Sequence, residues 1–350
     1  MSTGKPVLPA GLLPEQFYKE LRLSPSFRGK QVVKALQQGA RSWSEISTLP
    51  AAARERLEKE APLFSTQPEQ VNESPDGSVK MLIRLSDGRA VEAVLLTDER
   101  ERKTACLSSQ VGCAMGCTFC KTGTMGLIRN LRTGEILEQY YHLKNHSGDI
   151  SNIVFMGMGE PLANTAEVSR AVELLNHPEG PNISIRKITV STCGLVAGIR
   201  ELAESPLLPK LACSLISADP ELRSTLMPIT RTNPLPELKA ALRFYYRRSG
   251  RRITLECVLL GGVNCDEKEA KKVAAFADGL SVLVNVIPWN PVPELDYRTP
   301  TEKEISDYTA ALERAGVTVS RRYRRGTDIN GACGQLAVLE NGPDSPDPGR

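Results

Sequence analysis

No stretch of this 350-residue chain approaches the ~18–20 consecutive apolar residues of a membrane-spanning helix, so a helical membrane protein is excluded. The opening residues MSTGKPVLPAGLLPEQF lack an apolar core behind a basic flank, so no secretion signal is read there and a cytoplasmic location is expected. Charge of one sign is also scarce. The net charge is only +3, so bulk electrostatics neither demands nor excludes a nucleic-acid partner. Aromatics are few at 5%, which leaves little for stacking on nucleic-acid bases. Cysteine, in contrast, is abundant. Nine are present, an odd number, and four of them (Cys106, Cys113, Cys117 and Cys120) crowd into fifteen positions. Without a signal peptide this points away from a disulfide scaffold and toward metal or redox chemistry in a reducing compartment.

The apolar fraction of 41% is that of an ordinary globular protein. The length suits one large domain with a small appendage. Residues 1–62 read as a helical accessory domain. Within it RGKQVVKALQQG places Val32, Val33, Ala35 and Leu36 on one face, with Gly39 as the stop. Residues 63–97 contain a hairpin, VKMLIRL and AVEAVLL between the turns Asp76-Gly77 and Asp87-Gly88. From about residue 98 to 338, strand patterns (KTACLSS, SNIVFMGM, KITVST, KLACSLI, ITLECVLL, SVLVNVI, VTVSRRY) alternate with helical ones near 133–146, 164–177, 195–204, 234–248, 267–278 and 301–315. Alternation of this kind predicts an α/β fold with a parallel sheet, in a barrel or an open wound form. The last helix is expected to start on a capping box at Thr299, with Pro300 at its first position and Glu302 three residues on. Residues 339–350, rich in Pro, Gly and Asp, read as a disordered tail. Two basic clusters, Arg247/Arg248/Arg251/Arg252 and Arg321/Arg322/Arg324/Arg325, are either phosphate contacts or solvated faces.

The central motif is CAMGCTFC, with Cys113, Cys117 and Cys120 in C-x3-C-x2-C spacing after a strand. Three thiolates can hold three irons of a cubane cluster and leave the fourth open to chelate a small molecule. Zinc is the competing reading. It would need a fourth ligand from Cys106 or farther away, in a chain with only three histidines. About forty residues on, GMGEP (Gly157 to Pro161) closes the next strand, where a glycine turn with the Glu160 carboxylate suits an ammonium group.

The cysteine spacing, with Phe119 before its last member, resembles the radical S-adenosylmethionine superfamily. The ordered set CLSSQVGCAMGCTFCKTGTMGLIRNL, FMGMGEPLAN, RKITVSTCG, LMPI, LGGVN, IPWNP and GACGQL resembles the RlmN/Cfr family of RNA adenine methyltransferases over about residues 90–338. GMGEP and IPWNP favour its RlmN-like branch. The resemblance implies a partial (β/α)6 TIM-type barrel and a small N-terminal helical domain that helps bind RNA. It implies a [4Fe-4S] cluster on Cys113, Cys117 and Cys120, and S-adenosylmethionine bound by Gly159, Glu160, Ser191, Ser214, Leu215, Ile216 and Asn290. Cys333 would be the cysteine that becomes S-methylated, Cys106 its resolving partner through a transient disulfide, and Glu92 a candidate proton acceptor.

The implied chemistry explains the two sulfurs, because an adenine ring carbon cannot simply attack a sulfonium methyl. Cys333 takes a methyl group by displacement. An adenosyl radical from a second S-adenosylmethionine then removes hydrogen from it, and the methylene radical adds to the base. Proton loss from the ring carbon and attack by Cys106 on the Cys333 sulfur free the product and leave a disulfide for thiol exchange to reset. The expected substrates are 23S rRNA and tRNA at adenine carbon 2, with a flavodoxin or ferredoxin as electron donor, in a monomer. Alternatives are carbon 8 as the target, a non-RNA substrate, or a non-catalytic iron–sulfur RNA-binding protein. Ile216 stands where the family usually carries histidine, SLIS in place of SLHA. Cys193, Cys213, Cys257 and Cys265 match nothing catalytic and are expected to be structural.

Overall fold

A computed structural model describes residues 6–322 and 325–338. The expected tail at 339–350, and Arg324 of the second basic cluster, lie outside the described residues.

Three short helices open the chain: α1 (Gln16–Leu21), α2 (Arg28–Gln37) and α3 (Ala51–Glu60). They bury Phe17, Val32, Val33, Leu36, Trp43 and Leu57, and the Trp43 indole N–H donates to the Ala61 carbonyl at 2.7 Å. A meander follows, β1 (Gln67–Glu73), β2 (Val79–Arg84) and β3 (Ala90–Thr97). The two Asp-Gly turns do separate these strands, but β1 lies upstream of the hairpin that the alternation showed. Its side chains are mostly exposed, so it carries no apolar alternation to read.

The remaining strands are β4 (Lys103–Cys106), β5 (Gln110–Cys113), β6 (Gly126–Asn130), β7 (Asn152–Phe155), β8 (Ile188–Thr192), β9 (Lys210–Ser214), β10 (Ile253–Leu259), β11 (Val282–Pro288) and β12 (Val319–Arg321). The helices among them are α4 (Lys121–Thr124), α5 (Thr133–Ser147), α6 (Thr165–Asn176), α7 (Val196–Ala203), α8 (Pro220–Leu226), α9 (Leu235–Ser249), α10 (Glu267–Ala277) and α11 (Glu302–Arg314). One sheet runs in the order β1-β2-β3-β4-β7-β8-β9-β10-β11-β12. From β4 to β12 every pairing is parallel, whereas β1 to β4 pair antiparallel. Six strand–helix units and a closing strand therefore form an unclosed barrel, the expected α/β architecture. β5 and β6 pair only with each other and carry the cysteine loop between them.

The parallel strands are apolar at the alternate positions that face the core, as with Ile188, Val190, Ile253, Leu255, Cys257 and Leu259, all at most 1% exposed. The apolar core runs without a break from Phe17 and Trp43 of the helical region to Leu312 of α11. Polar contacts reinforce that junction. The Glu138 carboxylate on α5 accepts the N–H groups of Ser65 and Thr66 at 2.9 and 2.8 Å. The capping box of α11 sits two residues later than the sequence suggested. Thr301 caps the helix and Glu304 returns to its N–H at 2.7 Å, whereas the Thr299 hydroxyl donates to the Trp289 carbonyl. Among the described residues no helix is long and apolar enough to cross a membrane.

Candidate active site

The carboxyl ends of the parallel strands converge, as barrel geometry dictates for a site. A cavity of about 160 Å³ is walled there by Cys113, Cys117 and Cys120 on one side. Gly159, Glu160, Ser191, Ser214, Asn290 and Cys333 complete its polar lining. The cysteine loop is held from several directions. The Thr118 N–H donates to the Leu226 carbonyl at 3.0 Å, the Trp289 indole to the Phe119 carbonyl at 2.9 Å, and the Lys121 N–H to the Gly334 carbonyl at 2.8 Å. Burial raises all three thiols, Cys113 to about 11. Free thiolates there are disfavoured, so a metal that binds them deprotonated is what this wall suits. Among the described residues no three thiol, imidazole or carboxylate groups close around one ion. A cubane gives each thiolate its own iron and so accepts cysteines spread along a wall.

GMGEP follows β7. Gly159 has φ +97°, and a Cβ there would fall 2.5 Å from Gln110 Cβ and 2.8 Å from Gln110 N, so only glycine fits. The next residue, Glu160, is 4% exposed. Its carboxylate accepts the N–H of Leu162 at 3.0 Å and of Cys193 at 2.7 Å. Burial pushes its carboxyl up, and the Cys193 N–H is the strongest opposing influence. A carboxylate has lone pairs beyond those two bonds, so an ammonium in the cavity would offset its desolvation. Asn290 offers a second fit. Its Nδ2 donates to the Cys333 carbonyl at 3.1 Å, while its buried Oδ1 has no partner in the described structure. A bound donor is what such an atom requires.

Cys333 also lines a second, larger cavity of about 700 Å³. Cys106, 6% exposed, lies in its wall, and Arg100, Arg102, Arg321, Arg322 and Arg325 border it with Asp98 and Glu99. Burial and the neighbouring Cys333 push the Cys106 thiol up to about 12, against the pull of Arg322. Arg322 borders both cavities and turns inward, with Nη1 3.8 Å from Met156 Sδ. Sequence reasoning placed it in a cluster read as either phosphate contacts or a solvated face. Its place directly after a barrel strand was the signal for a role inside the site. Cys193 was likewise read as structural, yet it lines the smaller cavity and holds Glu160. The other arginine cluster, 247–252, sits where α9 ends and β10 begins, at the opposite face of the barrel. Arg248 pairs there with Glu204 at 3.5 Å, away from both cavities.

Three expected site residues do not line either cavity. Glu92 borders neither cavity. Its carboxylate pairs with Lys80 at 2.9 Å and accepts the Ala337 N–H at 3.0 Å, anchoring the segment that carries Cys333. Leu215 and Ile216 are buried behind the cavity wall rather than in it. Ile216 has φ +63°, an unusual conformation for a β-branched residue. Its carbonyl accepts from Asn264 Nδ2 at 3.0 Å, and its side chain joins Phe119, Met227 and Trp289 in an apolar cluster under the cysteine loop.

Comparison with known proteins agrees with this geometry. Residues 107–274 match the Radical SAM superfamily profile. A probable dual-specificity RNA methyltransferase RlmN of Treponema pallidum is 46% identical over 93% of this chain and 96% of its own. A dual-specificity RNA methyltransferase RlmN of an Anaeromyxobacter species is 44% identical over 91% and 87%. The crystal structure of a radical SAM methyltransferase from Sphaerobacter thermophilus superposes with a TM-score of 0.91 at 39% identity, covering 95% of this chain and 99% of that one. With such relatives aligned over nearly its whole length, and cysteine loop, GMGEP turn and Cys333 gathered at one end of the barrel, the chain belongs to the RlmN family of radical SAM RNA methyltransferases.

Proposed function

We propose that the protein methylates carbon 2 of adenine in 23S rRNA and in tRNA, with Cys333 carrying the methyl group. The observation that carries this reading is the position of Cys333 in the walls of both cavities, the thiol-lined one and the arginine-bordered one. Cys113, Cys117 and Cys120 would hold a [4Fe-4S] cluster, and Gly159, Glu160, Ser191, Ser214 and Asn290 the S-adenosylmethionine. Together these groups supply a methyl cation equivalent and a radical source.

The chain's own residues do the rest. Cys333 presents its sulfur to the cofactor side to be methylated and to the RNA side to deliver the carbon. The ring carbon then gives up its hydrogen as a proton and the adduct gives up one electron, which the metal centre would take back. Cys106 attacks the Cys333 sulfur, the carbon–sulfur bond to the product breaks, the freed methylene carbon takes a proton to become methyl, and a Cys106–Cys333 disulfide is left. External thiols return the two electrons. Burial holds the Cys106 thiol up, and the Arg322 charge beside it opposes that rise and so favours the nucleophilic thiolate. The arginines around the larger cavity suit RNA phosphates, and its volume of about 700 Å³ suits an unstacked adenosine. The one-electron donor belongs to the flavodoxin or ferredoxin class, and the enzyme works as a monomer in the cytoplasm.

Nucleoside mass spectrometry tests the reading in a host that lacks its own enzyme. The intact chain should produce 2-methyladenosine in rRNA and tRNA, and Cys333→Ala none. 8-Methyladenosine would reassign the target carbon. No methylated adenosine from cluster-loaded protein would overturn the assignment.

A further inference from the structure

Arg223, on α8, is 0% exposed and forms no ion pair with any carboxylate in the described structure. Its guanidinium is spread over neutral acceptors. Nε donates to the Leu215 carbonyl at 3.0 Å and Nη1 to the Thr230 hydroxyl at 2.6 Å. Nη2 donates to the carbonyls of Cys193 at 2.8 Å and Ser214 at 3.2 Å. Room for it comes from Gly194, φ +103°, where a Cβ would sit 3.1 Å from Nη2. Hydrogen bonds to carbonyls and a hydroxyl satisfy the donors but leave the charge uncompensated, and a buried cation without a counter-charge carries a large desolvation penalty. Arginine cannot escape by losing its proton.

A charge held this way calls for an anion that arrives with a ligand. The thiols of Cys213, Cys193 and Cys117 interact with the Arg223 charge. Of these, Cys117 belongs to the C-x3-C-x2-C loop. The carbonyls that Arg223 grips belong to the ends of β8 and β9, the strands whose termini wall the thiol-lined cavity.

We infer that Arg223 is the built-in counter-charge of the cluster, a positioning residue that balances the thiolate-bound metal centre while bracing the strand ends around it. This rests on the reading that Cys113, Cys117 and Cys120 hold an iron–sulfur cluster. A fixed positive charge behind the cluster favours its reduced, more negative state, because cluster potential follows local net charge. It would thereby ease the electron transfer that must precede each radical reaction.

The test is an anaerobic redox titration, followed by electron paramagnetic resonance, of reconstituted wild type, Arg223→Gln and Thr230→Val, with iron and sulfide counted first. Arg223→Gln should shift the midpoint potential to more negative values at full iron content. Thr230→Val loses one brace but keeps the charge, and should titrate with wild type. Equal potentials in wild type and Arg223→Gln would overturn the inference. If Arg223→Gln does not fold, a displaced potential in Thr230→Val overturns it instead, because bracing and not charge would then set the potential. A wild-type protein that takes up no iron and sulfide would sink the cluster reading itself, an outcome distinct from both.

Discussion

On one side of Cys333 lies a cavity of about 160 Å³ walled by strand ends, and on the other a cavity of about 700 Å³ bordered by loops and arginines. The smaller is built from backbone. Glu160 is fixed by two peptide N–H groups, the cysteine loop by main-chain and indole bonds, and the strand ends by the buried Arg223. The larger is rimmed by side chains that pair with one another at the surface, Arg102 with Asp98 at 2.6 Å and Arg325 with Glu99 at 3.8 Å. Exposed pairs of this kind are each worth ~0–1 kcal/mol, so a phosphate can replace the carboxylate with little loss. The contrast separates a cofactor pocket that must hold reactive groups still from a mouth that must accept a large, polyanionic and variable partner. Cys333 lines both, together with Met156, Ile287, Asn290 and Arg322.

The strongest way to break the comparison is to disable the sulfur on the RNA side. Cys106→Ala should leave Cys333 able to receive and deliver its carbon but unable to release it. Turnover should stop with RNA covalently joined to the protein, visible as a mobility shift on a denaturing gel. Free RNA with normal turnover would remove Cys106 from the reaction.

A smaller effect is expected on the cofactor side. Gly159→Ala places a Cβ against Gln110 at a left-handed φ and should cost roughly 2 kcal/mol or more of stability by denaturant unfolding. S-Adenosylmethionine binding should weaken more than RNA binding. Equal losses would mean that the two cavities are not mechanically separate.

The mildest change belongs to the rim. Arg100→Ser and Arg325→Ser should each weaken RNA binding and lower the salt dependence of log K by about 0.7 per lost phosphate contact. Cluster content and S-adenosylmethionine cleavage should stay unchanged. A weaker affinity with an unaltered salt slope would count against phosphate contact.

Legibility in the sequence followed locality. The cysteine loop and GMGEP could be read because each is a contiguous motif whose spacing already carries its chemistry. The seven parallel strands and six helices between them were visible because burial on one stripe or on alternate positions repeats at a fixed period. β1 escaped because both of its faces are largely exposed, and the β5–β6 hairpin because its strands flank a loop read for its cysteines. The Thr299 capping box failed for a different reason. Thr299 and Thr301 both precede an acidic residue at the right spacing, and only the competing bond from Thr299 to the Trp289 carbonyl decides between them.

Glu92, Arg322, Arg223 and Cys193 show where sequence reasoning stops. The chain alone determined which side chains could do chemistry: the three-cysteine loop, the glycine turn, and two further cysteines far apart in sequence. Only the tertiary structure decided which of them meet. It drew Cys333 between two cavities and set Cys106 beside it across more than two hundred residues. It turned Arg322 inward, paired Glu92 with Lys80 against the segment that carries Cys333, and buried Arg223 without a carboxylate. The physical reason is that periodicity and spacing report what a segment buries and how its neighbours are placed. Whether a charge faces solvent, a carboxylate or a metal-binding wall depends on which strand ends the barrel brings together.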